Sequence, residues 1–496
     1  MVNADIGIIA AFVVYLALML SIGALYYKKT HNVSDYILGS RGLNKYVASL
    51  SAEASDMSGW LLIGLPGLAY ASGMQAGWVA LGLIIGTFLN WKLVAKRLRI
   101  YTQEAGDSLT LPEFFKNRFH DKSDIIGGIC AIFILIFFLL YTSAQFVSTG
   151  KLFNTVFGID YTTALLIGSL IVVVYTFIGG FMAVCWTDFF QGLLMLFAIL
   201  IVPIAAIGLL GGPVATIDTI NAANPNLLNP FADADGTPLT AIAIISLMAW
   251  GLGYFGQPHI LVRFMAIRDP KEIAHARTVA MIWVILSLIA AVAIGLVGKV
   301  FLSQPLVGSA SETVFMVMTD QIFFSFLAGI ILCGILAAIM STASSQLLVT
   351  SSAVSEDLYR TYVRPHASEK EGVWVSRISV LVAAGIAILL GLNPDSLVYG
   401  IVSYAWAGFG AAFGPALLMA LFWRRMTKAG ALAGIISGGV TVLIWKQLNL
   451  FNLYEIVPGF IIALIAIYVV SMLTPAPDSS VIAVFDDVET ADKNSN

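Results

Sequence analysis

Charge is what this sequence has least of: Asp, Glu, Lys and Arg make up 11% of it, against roughly a quarter of a soluble globular domain. Hydrophobic residues make up 59% and the mean hydropathy is +0.90. This balance excludes an ordinary soluble domain and points to an all-α polytopic membrane protein. The formal net charge of −3 argues against a polyanionic partner such as a nucleic acid. Cysteine is scarce too. Cys130, Cys185 and Cys333 all fall in apolar stretches, and an odd number of buried thiols is no disulfide framework. No phosphate-cradling P-loop is present, which argues against an ATP-driven pump. No paired acid and base and no His/Cys/Glu cluster with metal spacing occurs, so no enzyme is expected. His259 is a lone imidazole, read as a structural hydrogen-bonding group. No cleavage site follows the first apolar stretch, which reads as a retained span.

What is present is a succession of apolar runs. A span needs roughly 20 mainly apolar residues. The pattern predicts about thirteen: 6–27, 46–70, 75–95, 124–151, 161–179, 181–211, 239–265, 277–302, 322–355, 373–392, 397–423, 428–446 and 456–474. With the N-terminus outside, all Lys and Arg except Lys151, Lys299 and Lys446 fall on the inner side, a strong positive-inside pattern. Lys28 and Lys29 open the first inner connection, and Arg263 is counted with a later one. The connection 212–238 has no basic residue and reads as external. The acidic tail 475–496 is expected to be disordered.

Two of the spans are interrupted. One breaks at Ser55-Asp56-Met57-Ser58-Gly59, the other at Gly251-Leu252-Gly253-Tyr254-Phe255-Gly256-Gln257-Pro258. A bilayer core tolerates unwound backbone only where it is buried in protein or lines a wet cavity. Broken spans in matching positions of two halves mark the binding site of a secondary transporter. Setting aside the first span and the last two leaves five and five, each group opening on a broken span. Five is odd, so the second group enters the membrane inverted. The predicted organisation is a first span and connection (1–45), a first repeat (46–211), an external loop (212–238), a second repeat (239–423), two peripheral spans (424–474) and a cytoplasmic tail (475–496).

The breaks carry the candidate chemistry. Asp56 is a carboxylate at mid-membrane, where a charge costs a few kcal/mol. It either holds a hard monovalent cation such as Na⁺ or caps the following half-helix through the Ser58 and Gly59 amides, and the two are compatible. Glu53 either forms a second ionisable site or lines an aqueous vestibule, the vestibule being favoured. Ser341-Thr342-Ala343-Ser344-Ser345, after Ala338, offers short-reach neutral oxygens; its alternative is helix packing. Trp250, Tyr254 and Pro258 recur at i, i+4 and i+8 and would share a face of a regular helix, an apolar wall for a compact organic group. Tyr141 and Gln145 could add a hydroxyl and an amide. No Arg or Lys is expected near the breaks, so a substrate carboxylate would rest on the amides of Ser58, Gly59 and Trp60.

Longer stretches add a resemblance. Ser55 to Gly67, Phe177-Ile178-Gly179-Gly180-Phe181 with Trp186-Thr187-Asp188, Trp250 to His259, and Ser403 to Gly410 resemble the sodium:solute symporter family, and its sodium/proline branch in particular. The resemblance runs from about Tyr36 to Leu473. It implies a five-plus-five inverted-repeat fold with alternating access, sodium as the co-transported ion, L-proline as substrate, and a bacterial-type inner membrane with a cytoplasmic C-terminus. It also implies a sodium site made of the carbonyls of Ala54, Met57 and Ala338 and the hydroxyls of Ser341 and Thr342. Asp56 would be the sodium-linked carboxylate, and Asp188 would lie near the sodium path. Tyr141, Trp250, Tyr254 and Pro258 would line the substrate pocket. Glu53 stands where close relatives carry a small residue. The remaining alternatives are a channel, a carrier for another small solute, and proton coupling through Asp56 or Glu53.

Overall fold

The structure is a computed structural model that describes residues 5–27, 33–178 and 180–494. Lys28 and Lys29 of the first inner connection, and Gly179 of the Phe177–Phe181 motif, lie outside the described residues. Those described form helices and connections with no β-strand. Among the described residues ten helical stretches are long and apolar enough to cross a membrane, and a bent pair makes an eleventh.

Helix α1 (Ile6–Tyr27) is followed by the short α2 (Val33–Leu38) and then by the first broken span, α3 (Lys45–Gly59) and α4 (Leu65–Ser72). Asn44 starts α3 by accepting hydrogen bonds from the amides of Tyr46 and Val47, an N-cap that satisfies otherwise orphaned donors. Ser58 interrupts it at φ 54°, ψ −175°, and residues 60–64 continue with wide π winding. Gly73, at φ 78°, ends α4; L side chains avoid that region. The chain continues through α5 (Gly77–Leu89), α6 (Lys96–Glu104), α7 (Leu111–Arg118), α8 (Ile125–Phe157), α9 (Tyr161–Ile178) and α10 (Phe181–Leu209). The connection expected to be external contains a helix, α11 (Pro213–Ala223).

The second broken span is α12 (Ala241–Met248), a 3₁₀ stretch at Ala249–Gly256, and α13 (Pro258–Ala266), bent by 46°. Backbone contact holds its unwound part against α5. A Cβ on Gly86 would lie 2.3 Å from the Gly251 carbonyl oxygen, and one on Gly82 2.2 Å from that of Met248. Only glycine permits such an approach, a recurrent device where helices pack in lipid.

Then come α14 (Ile273–Phe301), α15 (Val314–Ile322) and α16 (Ser325–Ser352). The span expected over 322–355 thus starts after a break at Phe323, whose extended ψ of 148° separates α15 from it, and it continues beyond Ser352 in π winding to Val363. Helix α16 packs against α1, α3, α8 and α10. It is buried nearly all round, the hydroxyls of Ser341, Thr342, Ser344 and Ser345 included. Helices α17 (Glu369–Leu390), α18 (Val398–Phe422), α19 (Lys428–Leu448) and α20 (Ile456–Leu473) complete the apolar set.

The tail departs from expectation. Residues Ser479–Asn494 form a helix, α21, docked on α6. Val481, Phe485 and Val488, spaced i, i+4 and i+7, are buried, so an apolar stripe was concealed by an acidic composition. Arg424 pairs with Asp486 (2.8 and 2.6 Å), and the Arg97 guanidinium lies 5.1 Å from the Phe485 ring centre.

Candidate substrate and cation site

The two breaks meet. The Ser58 kink turns the end of α3 toward the 3₁₀ stretch, and Tyr254 Oη donates to Asp56 Oδ2 at 2.7 Å. Tyr141 Oη, from α8, donates to the Asp56 carbonyl at 3.3 Å. Asp56 does not cap the second half-helix. The Ser58 hydroxyl does so, accepting from the Trp60 amide at 3.1 Å, while the Asp56 carboxylate is taken up by Tyr254.

Beside this junction lies a small cavity of about 10 Å³, lined by Asp56, Trp60, Tyr141, Trp250, Tyr254 and Trp406, and closed by Met57, Leu83 and Val402. Trp60 and Trp250 stack at 5.1 Å. Trp406 stands edge-on to Tyr254 at 5.1 Å and donates its indole N–H to the Trp250 carbonyl at 2.7 Å. That bond satisfies a carbonyl freed by unwinding, as buried backbone requires. Gln257 Nε2 donates to two more carbonyls, those of Gly253 and Trp406. The cavity has room for about one water; its lining, aromatic faces on several sides and a single carboxylate, has the chemistry to wrap a small molecule with an apolar body once it widens.

Pro258 stands apart from Trp250 and Tyr254. It lines a different cavity of about 20 Å³, with Phe181, Leu348, Ser352 and Asp357. The i, i+4, i+8 stripe requires 3.6 residues per turn. The 3₁₀ winding has three, and Gln257 is extended at ψ 105°, so the third member rotates off the face.

The Gly59 amide is engaged by Gln145 Oε1 at 3.1 Å, leaving Gln145 Nε2 without a partner. A Cβ on Gly59 would lie 2.8 Å from Ser148 Oγ, so glycine is what lets the break lie against α8.

A second cluster of oxygens joins α3 to α16. Ser341 Oγ lies 2.8 Å from the Ala54 carbonyl oxygen and 3.1 Å from that of Ala338. Thr342 Oγ1 lies 3.4 Å from the Ala54 carbonyl oxygen. Four of the five oxygens implied by the family resemblance therefore converge. The fifth, the Met57 carbonyl, accepts from the Trp60 amide.

Asp188 is wholly buried. Its Oδ2 accepts from Ser51 Oγ at 2.7 Å and Arg263 Nη2 at 3.1 Å. Arg263 also donates to the His259 carbonyl at 2.7 Å and to Ser345 Oγ at 2.5 Å. An arginine thus sits one helix beyond the second break, where none was expected. Its place inside the 239–265 run was the available signal. The His259 imidazole makes no hydrogen bond; it packs edge-on to Phe138 and Tyr141. Glu53 is also corrected: it lines no vestibule but is 2% exposed, with Trp91 Nε1 donating to Oε1 at 3.0 Å. Trp406 falls within the Ser403–Gly410 stretch, and its place in the cavity wall depends on how α18 is rotated.

A family model described as "Sodium:solute symporter family" matches residues 36–438. A sodium/proline symporter of Escherichia coli (strain K12) is 49% identical over 477 residues, covering 95% of this chain and 94% of its own. An osmoregulated proline transporter of Bacillus subtilis (strain 168) is 48% identical over 489 residues, 98% of each chain. A solved structure of a sodium-coupled sialic acid symporter in a substrate-bound outward-open state has a TM-score of 0.79 at 20% identity, over 96% of this chain and 99% of that one. A nucleobase-cation-symport-1 family transporter in a closed conformation has a TM-score of 0.56 at 14% identity, over 92% and 99%. At those identities the structures speak for the fold alone. A transporter fold, apolar membrane-crossing helices and extended sequence identity coincide over one chain: this integral membrane protein is a transporter rather than an enzyme, and it belongs to the sodium:solute symporter family.

Proposed function

We propose that this chain is a sodium-coupled symporter that imports L-proline by alternating access. The observation that carries the reading is the small aromatic cavity at the junction of the two broken helices, with one carboxylate and no side-chain cation in its wall. Proline presents a compact apolar ring, and a sugar would instead require several polar side chains to meet its hydroxyls. Relatives that cover nearly the whole chain are named as proline transporters.

Sodium binds where α3 meets α16, on the Ala54 and Ala338 carbonyls and the Ser341 and Thr342 hydroxyls, with Asp56 supplying negative charge nearby. That cross-link holds the break at Ser58. The proline ring then packs against Trp60, Trp250 and Tyr254. Its carboxylate displaces Gln145 from the Gly59 amide, and Gln145 Nε2 turns to donate to it. Pro258, in the separate Phe181–Asp357 cavity, lines the inner route of release, and Asp188 stands near the sodium path. Coupling requires that both ligands favour the same conformation, so sodium tightens proline and proline tightens sodium by the same factor. One charge moved inward through 100 mV supplies about 2.3 kcal/mol.

We read thirteen spans in the chain. Residues 45–104 cross twice, divided at Gly73; the bent pair 241–266 crosses once; and the shorter 161–177 crosses as well. Spans two to eleven form the inverted repeats, with the N-terminus outside and the C-terminus in the cytoplasm of a bacterial-type inner membrane. The test is labelled L-proline uptake into proteoliposomes under an inward sodium gradient, with a potassium control. Uptake that depends on sodium supports the reading. Sodium-stimulated uptake of another solute would overturn the substrate, and uptake indifferent to sodium would overturn the coupling.

A further inference from the structure

The cavity between the broken helices holds about one water, so an organic solute enters only as the aromatic walls move apart. Trp250 is a wall with aromatic side chains packed against it. Its ring lies 5.2 Å from that of Tyr399 and 5.8 Å from that of Tyr454, the second pair stacked at 30°. Neither tyrosine lines the cavity, so each meets a solute only through Trp250. Tyr454 comes from the connection between α19 and α20, far along the chain from both breaks.

Tyr454 is pinned at both ends. Its amide donates to Ser246 Oγ at 3.1 Å, on α12 one turn before Trp250. Its hydroxyl donates to the Ser403 carbonyl at 2.6 Å, on α18 one turn before Trp406. The connection that presents it is braced as well. Trp445 Nε1 donates to the Leu453 carbonyl at 3.1 Å, and Lys446 pairs with Glu455 at 3.5 Å. Asn449, Phe451 and Asn452 take φ values of 45°, 60° and 50°. Residues other than glycine hold that left-handed region only where the surroundings over-determine it. A ring held in this way does not follow Trp250 outward. Side chains in a close-packed interior transmit such a limit, and an added methylene that meets it forces its neighbours off their preferred positions.

We propose that Tyr454 fixes how far Trp250 can retreat and so sets the largest ring the pocket accepts, as a positioning residue that acts through the cavity wall. This role rests on the reading of the chain as a proline symporter. The test is sodium-driven uptake of L-proline and of L-pipecolate, its homologue with one more ring methylene, into proteoliposomes, with KM and maximal rate measured for both. One methylene in a tight apolar pocket is worth about ten- to two-hundredfold in kcat/KM, and the unmodified chain is expected to prefer proline by that order. Tyr454→Ala is expected to lower the preference about tenfold, through a lower KM for pipecolate. General damage to the fold would instead lower both maximal rates and leave the preference unchanged. Tyr454→Phe keeps the ring and loses the bond to Ser403, and Ser246→Ala loses the acceptor for the Tyr454 amide; each is expected to lower the preference about threefold. These two decide the matter if Tyr454→Ala fails to insert. No preference in the unmodified chain, an unchanged preference in Tyr454→Ala or in both milder variants, or one that falls only through loss of proline, would overturn the role of Tyr454 and leave the proline reading intact. No sodium-driven proline uptake by the unmodified chain would overturn both together.

Discussion

Tyr254 and Asp56 are 198 residues apart and are joined by a 2.7 Å hydrogen bond, each beside the unwound part of its own broken helix. The bond ties the two breaks directly, at the edge of the aromatic cavity. A hydrogen bond to a charged group contributes about 1.5–3 kcal/mol. Tyr254→Phe keeps the ring against Trp406 and removes the hydroxyl. Sodium-driven proline uptake is expected to fall by about ten- to a hundredfold at limiting substrate, with normal membrane insertion. Undiminished uptake would show that the bond does not shape the pocket.

The Ala54 carbonyl accepts from Ser341 and faces Thr342. If these hydroxyls hold sodium, Thr342→Ala raises the sodium concentration for half-maximal uptake by roughly tenfold, as loss of one oxygen worth about 1.4 kcal/mol would do. The measurement is uptake against sodium at fixed proline. A curve superimposed on that of the unmodified protein removes Thr342 from the site.

Arg263 makes four contacts at once: with Asp188, Ser51, Ser345 and the His259 carbonyl. A lysine ammonium is a point charge and cannot reproduce that fork. Leaving a buried partner uncompensated costs about 3–5 kcal/mol. Arg263→Gln is expected to lower thermal stability in detergent by several degrees, with Arg263→Lys intermediate. Equal melting of all three proteins would contradict a structural role for the pair.

Between α7 and α8, outside the spans, burial alone would raise the Asp121 carboxyl. Hydrogen bonds from Lys428, from the Ser123 hydroxyl and amide, and from the Ile126 amide outweigh it and hold it down at about 2. A depressed carboxyl stabilises the fold above its unfolded value near 4, and this contribution is lost as the pH falls through the folded value. Asp121→Asn should therefore melt below the unmodified protein at pH 7, with the gap closing as the pH falls from about 4 toward 2. A gap independent of pH would refute the electrostatic origin.

The breaks were legible because their chemistry is local. Ser58 and Gly59, and the glycines from Gly251 to Gly256, cannot be read as continuous helix in an apolar run. The pairing of Ser341 with Ala54 was foreseen only through family resemblance, since nothing in either segment reports the distance between α3 and α16. The tail helix was missed because three apolar residues among many acidic ones convey little until α6 offers a face for them.

Composition and order along the chain determined the solvent this protein lives in, the positions of its apolar helices and the two places where they unwind. Those properties depend on residues a few positions apart, within reach of one helical turn. Tertiary structure alone decided that Tyr254 meets Asp56, that Pro258 leaves the aromatic wall, that Arg263 turns inward to Asp188, and that Glu53 is buried against Trp91. Each depends on the winding of a broken segment and on which neighbouring helix it meets, and packing across the whole bundle sets both.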